Sequence, residues 1–246
     1  MTFCNKVFFI YLSLMPISAL GAQALMIVDV QNDFLPQSFY EKARLSVPEG
    51  DKIIPIIAEL KRHFSFVVLT QDYHPSGHIS FLSTHMEKDS SLSENDAFKP
   101  YRIQNNEGEY QECILWPDHC VFNDKDPDHQ TGVDFPKELN VVSSDVVFRK
   151  GKDINTESYS AFQDQKGQDT GLHEFLQNNL IDNLVIVGLA MDICVFETAK
   201  DAVKLGYDVS IPLDATKATS QKLWEEKAAA LDGLGVFLTD SSMYLK

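Results

Sequence analysis

Basic residues are scarce in this chain: 21 lysines and arginines stand against 36 aspartates and glutamates, for a formal net charge of −15. A protein that grips DNA or RNA needs a cationic face to displace phosphate counterions, so nucleic acid is not an expected partner. Nor does any basic amphipathic segment suit adsorption to anionic lipid. Internal repeats and long low-complexity tracts are missing, which argues against solenoids and linker-like chains. No apolar run reaches the about 20 residues that cross a bilayer comfortably. Cysteine is sparse, with four in the chain.

What remains is a chain of 246 residues, 44% hydrophobic and 23% charged, enough for one α/β domain with a sizeable core. Its N-terminus carries Lys6, an apolar run from Val7 to Leu20, and small residues at Ala19 and Gly21. That pattern reads as a secretory signal over residues 1–21. Residues 22–246 would then form a single exported domain, periplasmic or secreted. An uncleaved apolar extension is the alternative, and an unused signal would leave the protein cytoplasmic. Cleavage would remove Cys4 and leave Cys113, Cys120 and Cys194, an odd number, so at least one thiol stays unpaired unless a bridge joins two molecules. Cys113 and Cys120 are close enough in sequence to pair in an oxidising compartment, but spacing alone leaves this open.

Short Val/Ile/Leu-rich runs alternate with amphipathic stretches. Strands are expected near Ala24–Asp29, Phe66–Thr70, Asp145–Arg149, Asn183–Gly188, Asp208–Leu213 and Val236–Thr239. Helices are expected near Asp51–His63, Gly171–Leu180, Ile193–Leu205 and Gln221–Leu231. The alternation implies a three-layer α/β fold, a six-stranded mostly parallel sheet with helices on both faces. Residues 73–140 lack a clear period and read as a long irregular excursion, a lid or pocket wall.

Open α/β sheets bind ligands beyond the carboxyl ends of their strands. Asp29 sits at the end of the first strand (IVDVQNDF), and Asp72 and His74 follow the second (LTQDYHPSGH). Lys150 ends the third (VVFRKGKD), and Gly188 leads from the fourth to Cys194 (VGLAMDICVF). An Asp29–Lys150 pair alone could be structural, but a thiol and imidazoles arriving at the same edge point to catalysis. A helix N-terminus and a neighbouring ammonium would lower the pKa of Cys194 and favour its thiolate. Asp29 could take the thiol proton and return it to a leaving amine. Asp72, His74, His78 and, across the excursion, His119 combine carboxylate and imidazole donors that suit zinc first, with iron or manganese as alternatives. His63 and His173 read as surface or half-buried, and His85 and His129 as solvated. Phe34 and Trp116 adjoin site motifs and could stack on a flat ring.

IVDVQNDF, QDYHPSGHISF, LWPDHCV, FRKG…ESYSAF and VGLAMDICVFETAKDA, in that order, resemble the isochorismatase-like cysteine hydrolases. Among them the match is to nicotinamidases, which also hydrolyse pyrazinamide. The resemblance implies hydrolysis of nicotinamide to nicotinate and ammonia through a cysteine thioester, in salvage of NAD precursors, with one divalent metal ion and no organic cofactor. It places the catalytic triad on Asp29, Lys150 and Cys194, with Lys150 preferred over Lys152 because it directly precedes a glycine. It places metal ligands on Asp72, His74 and His119, with His78 a direct ligand in some members. The oxyanion hole falls on the amides of Ala190 and Cys194, beside a non-prolyl cis peptide at Leu189–Ala190. Phe34, Trp116 and Tyr159 match positions around the pyridine ring. Two positions depart from the pattern: Met191 stands where relatives commonly have threonine, and Ile193 where they have an aromatic residue or histidine. The rival expectations are a carbamoyl- or ureido-amidase of the same superfamily, and a non-catalytic metal- or ligand-binding envelope protein. The expected partner is a small amide; homo-oligomerisation is left open.

Overall fold

A computed structural model of the protein describes residues 22–104, 108, 110–122 and 131–245. The segment read as a secretory signal, residues 1–21, and His129 lie outside the described residues.

The six expected strands are present as β1 (Ala22–Val28), β2 (Phe66–Asp72), β5 (Val146–Lys150), β6 (Ile181–Leu189), β7 (Asp208–Pro212) and β9 (Phe237–Thr239). They form one parallel sheet in the order β5-β2-β1-β6-β7-β9, and a two-residue strand, β8 (Thr216–Lys217), pairs with the end of β6. Side chains on a strand alternate between faces, and each face here has its own core. Ala24, Met26 and Val28 pack on one side with α3 (Leu172–Asn178), α4 (Cys194–Lys204) and α5 (Gln221–Gly233). Leu25 and Ile27 pack on the other with Ile54, Ile57 and Leu60 of α1 (Ile54–Leu60). Both faces are covered, which is why the strands read as unbroken apolar runs. Among the described residues no helix is long and apolar enough to cross a membrane.

The strand order positions the site. From β1 the chain moves outward through β2 to β5, then returns to place β6 on the other side of β1. The chain direction therefore reverses at the β1–β6 boundary, where a crevice opens above the carboxyl ends. Val28 pairs with Gly188 there, and a Cβ on residue 188 would lie 2.1 Å from the Val28 carbonyl oxygen. Gly188 also has φ +115°, a backbone conformation that side chains disfavour.

Residues 73–140 are more ordered than the sequence suggests. They hold a short helix, α2 (Leu82–Met86), and an antiparallel pair, β3 (Pro100–Gln104) with β4 (Tyr110–Ile114). Ile79, Leu82, Ile103, Cys113 and Leu115 give this excursion a small core of its own. The hairpin is hard to read from sequence because β3 is largely exposed and buries just Ile103. His85, expected to be solvated, is buried with Nε2 2.6 Å from the Ile79 carbonyl.

Gly188→Ala is expected to cost at least about 2 kcal/mol, from the disfavoured φ and the collision with β1. Urea unfolding of the two proteins checks this; equal midpoints would contradict the close approach.

Candidate active site

Lys150, the last residue of β5, is 2% exposed, and four partners surround its ammonium. Nζ lies 2.9 Å from Asp29 Oδ2 and donates to Asp72 Oδ1 at 3.1 Å, to the Ser158 carbonyl at 3.0 Å and to Cys194 Sγ at 3.5 Å. The three residues expected to form the triad thus meet around one nitrogen. Asp29, fully buried just beyond β1, accepts a 2.6 Å hydrogen bond from Thr70 Oγ1, while its own amide donates to that oxygen. Cys194 is the first residue of α4, after a turn in which Ile193 and Val195 donate to the Ala190 carbonyl. A first-turn amide has no acceptor within its own helix, so the Cys194 N–H is available to a ligand. The Leu189–Ala190 peptide is cis, as the resemblance implies.

The protonation pattern differs from the expectation for the thiol. Burial pushes Cys194 well above an ordinary thiol; Lys150 opposes this, and the nearby carboxylates, with a hydrogen bond to Asp29, add to it. Burial likewise raises Asp29, against the pull of Lys150. Burial disfavours the Lys150 charge, but Asp29 and Asp72 outweigh it and hold the ammonium protonated. The resting group is therefore a thiol beside a carboxylate that can accept its proton, in place of the preformed thiolate expected from the helix terminus.

The second cluster adjoins the first through Asp72. Its Oδ2 is 3.1 Å from His74 Nε2 and 3.5 Å from His119 Nε2, and all three side chains are buried. His74 Nδ1 lies 2.9 Å from the Gly151 carbonyl, and His119 Nδ1 lies 2.7 Å from the Pro117 carbonyl. A carbonyl can only accept, so both Nδ1 atoms carry hydrogen and both Nε2 atoms turn toward Asp72. His74 Nε2 makes no hydrogen bond there. Two imidazole nitrogens and a carboxylate oxygen converge at spacings that match the edges of a shell with bonds of about 2.0–2.2 Å. The outward Nδ1–carbonyl bonds are the second-shell arrangement of metal-ligating histidines. The donor set fits a divalent ion. His78 stands apart: Nδ1 meets Ser80 Oγ at 2.8 Å and Nε2 meets the Thr156 carbonyl at 3.1 Å, so both nitrogens are engaged elsewhere.

Local sequence explains the convergence. Gly151 has φ +66°, and a Cβ there would lie 2.4 Å from His74 Cε1. The glycine after Lys150 therefore gives the metal-side imidazole its space. Val121 bridges to His74 and brings His119 across the excursion. Phe34, Trp116 and Tyr159 line a cavity of about 670 Å³ together with Asp72, His119, Ala190 and Cys194. Trp116 Nε1 donates to the Tyr159 hydroxyl at 3.1 Å. Ile193, at a position departing from the family pattern, also lines this cavity, whereas Met191 is buried beneath it in the core.

Sequence reasoning missed several supports. Gln31 accepts from the Asp72 amide and donates to the Asp72 and Val133 carbonyls, each at 2.8 Å, fixing the end of β2. Asp33 accepts from the Cys120 amide at 2.7 Å and so anchors the loop that bears His119. Both residues lie inside IVDVQNDF, but a bonded amide and a structural carboxylate carry no chemical signature there. Cys113 and Cys120 are both free and buried, with burial raising each thiol, Cys113 to about 12.

A parallel sheet that delivers acid, ammonium and thiol to its switch point defines a cysteine hydrolase. The comparisons identify which: an Isochorismatase domain matches residues 23–242, and the chain belongs to that family. It is 37% identical over 213 residues to the nicotinamidase of Acinetobacter baylyi, covering 84% of this chain and 89% of the relative. A solved nicotinamidase–pyrazinamidase of Acinetobacter baumanii superposes with TM-score 0.76 at 34% identity, covering 91% of this chain and 98% of that one. The pyrazinamidase of Pyrococcus horikoshii, solved in complex with zinc, superposes with TM-score 0.65 at 28% identity, covering 89% and 98%.

His78 supplies a pH test of the site's packing. Burial first, then the charge of His74, lowers it from 6.5 to about 4. An unfolded imidazole keeps the ordinary value, so unfolding takes up a proton between pH 6.5 and about 4. This stabilisation is complete above the window and falls by about 3 kcal/mol as pH drops through it. Urea midpoints of the metal-free protein should track that loss, and His78→Gln should flatten it; an unchanged slope in the variant contradicts the assignment.

Proposed function

We propose that the protein hydrolyses nicotinamide to nicotinate and ammonia, accepts pyrazinamide as well, and serves the salvage of NAD precursors. The observation that carries this is the placement of Asp29, Asp72 and Cys194 within 3.5 Å of the Lys150 ammonium. The nicotinamidase relatives supply the substrate class.

In this reading Cys194 Sγ attacks the amide carbon as its proton passes to Asp29. The amides of Ala190 and Cys194 face the developing oxyanion, where one such donor is typically worth about 2.7–4 kcal/mol. The tetrahedral adduct collapses: the C–N bond breaks, Asp29 returns the proton to nitrogen, and ammonia leaves a thioester on Cys194. Water then attacks the thioester, giving a proton to Asp29, and C–S cleavage releases nicotinate and restores the thiol. Lys150 stays charged throughout, orienting Asp29 and offsetting the negative charge that accumulates. Phe34, Trp116 and Tyr159 hold the ring. Asp72, His74 and His119 would hold the divalent ion, zinc in the first instance, which supplies a Lewis-acid contact for the pyridine nitrogen.

We also propose that the enzyme acts outside the cytoplasm. Lys6, the apolar run from Val7 to Leu20 and the small residues at Ala19 and Gly21 support this, as does a family match that begins only at residue 23.

Ammonia release from nicotinamide by the purified protein tests the reaction. Cys194→Ala should lower it by several orders of magnitude with the fold intact by circular dichroism; near-wild-type turnover would sink the mechanism. Stripping metal with a chelator should lower kcat/KM, and added zinc should restore it; full activity after stripping would favour a carbamoyl- or ureido-type amidase. For export, N-terminal sequencing of the periplasmic fraction should find a chain starting near Ala22, and a start at Met1 overturns cleavage.

A further inference from the structure

Glu157 takes no part in the triad or in the ligand set, yet it lies in the same buried cluster. Its side chain is 2% exposed and lines the cavity, and Oε1 accepts a 2.7 Å hydrogen bond from the Ser158 amide. The Ser158 carbonyl in turn accepts from Lys150, which pins this segment to the triad. Ligand-capable atoms of Glu157, His74 and His78 lie within 4.8 Å of one another. Both His78 nitrogens are engaged by Ser80 and Thr156, which leaves His74 and Glu157 as the members able to serve a cation.

Charge makes the case. Asp29, Asp72 and Glu157 are each at most 4% exposed, and a single buried ammonium, Lys150, stands among them. Unbalanced buried charge is expensive, and the two uncompensated negative charges are what one divalent cation neutralises. Lys150 pairs with Asp29 and Asp72, and Asp72 faces the cation site; the remaining carboxylate is Glu157.

We propose that Glu157 is a positioning residue for the cation, its carboxylate anchoring the ion held by Asp72, His74 and His119. It forms a cluster with His74 but not with Asp72 and His119, so its reach to the ion is one solvent molecule long. The inference rests on the cation reading of the Asp72–His74–His119 set.

Zinc titration of the metal-free full-length protein, by calorimetry or competition with a chromophoric chelator, tests this without recourse to activity. Glu157→Gln keeps the shape and removes the charge; it should weaken zinc binding by about 10–100-fold, the usual effect of losing an outer-shell partner. The melting temperature of its metal-free form should not fall, whereas a packing role would lower it. Glu157→Asp, which keeps the charge on a shorter arm, should bind zinc less tightly than the wild type and more tightly than Glu157→Gln. Wild-type affinity in Glu157→Gln, alongside loss of binding in His119→Ala, overturns the role of Glu157 and leaves the ligand set standing. Failure of the wild type to bind zinc overturns the ligand set itself and this inference with it. If Glu157→Gln does not fold, wild-type affinity in Glu157→Asp overturns the proposal.

Discussion

The ammonium of Lys150 is the contact on which the rest of this structure turns. Moving such a charge out of water carries an effective penalty of several kcal/mol, and only close, well-aligned counter-charges offset it. The fold meets that demand with two carboxylates, a backbone carbonyl and a sulfur. Each partner comes from a different part of the chain: the loop after β1, the end of β2, the segment after β5, and the start of α4. The condition that stabilises the buried cation therefore also assembles a nucleophile, its base and one face of a cation site. Stability and chemistry share the same atoms.

Topology makes this assembly economical. Adjacent strands end within reach of one another, and the reversal between β1 and β6 opens a crevice where their terminal side chains can meet. Two glycines release the space: Gly188 lets β6 close on β1, and Gly151 lets the chain leave Lys150 without striking His74. The site thus depends on positions where no side chain is tolerated as much as on those where one reacts.

Much of this was legible beforehand. The parallel strands announce themselves because burial on both faces produces unbroken runs such as LVIVG. Asp29, Asp72, His74, Lys150 and Cys194 were readable because each reactive side chain sits at the end of a strand, where chemistry is expected. The β3–β4 hairpin was not, since an exposed antiparallel pair carries only every second apolar residue and few of those. Gln31, Asp33 and Glu157 were likewise opaque: an amide or carboxylate that works through a backbone group or a buried neighbour looks, in sequence, like any polar residue in a loop. The thiol was read with the wrong sign, because a linear chain shows the helix terminus and the lysine but not the depth of burial that outweighs them.

The excursion between β2 and β5 closes over its own apolar residues, Ile79, Leu82, Ile103, Cys113 and Leu115, apart from the two sheet cores. It also contributes Phe98, Ile114 and Trp116 to the cavity wall, while the reacting groups stand on the sheet and its loops. The architecture therefore separates a plastic module from a rigid one. Sequence drift in the excursion can retune which rings enter, without disturbing the buried electrostatics that break the amide.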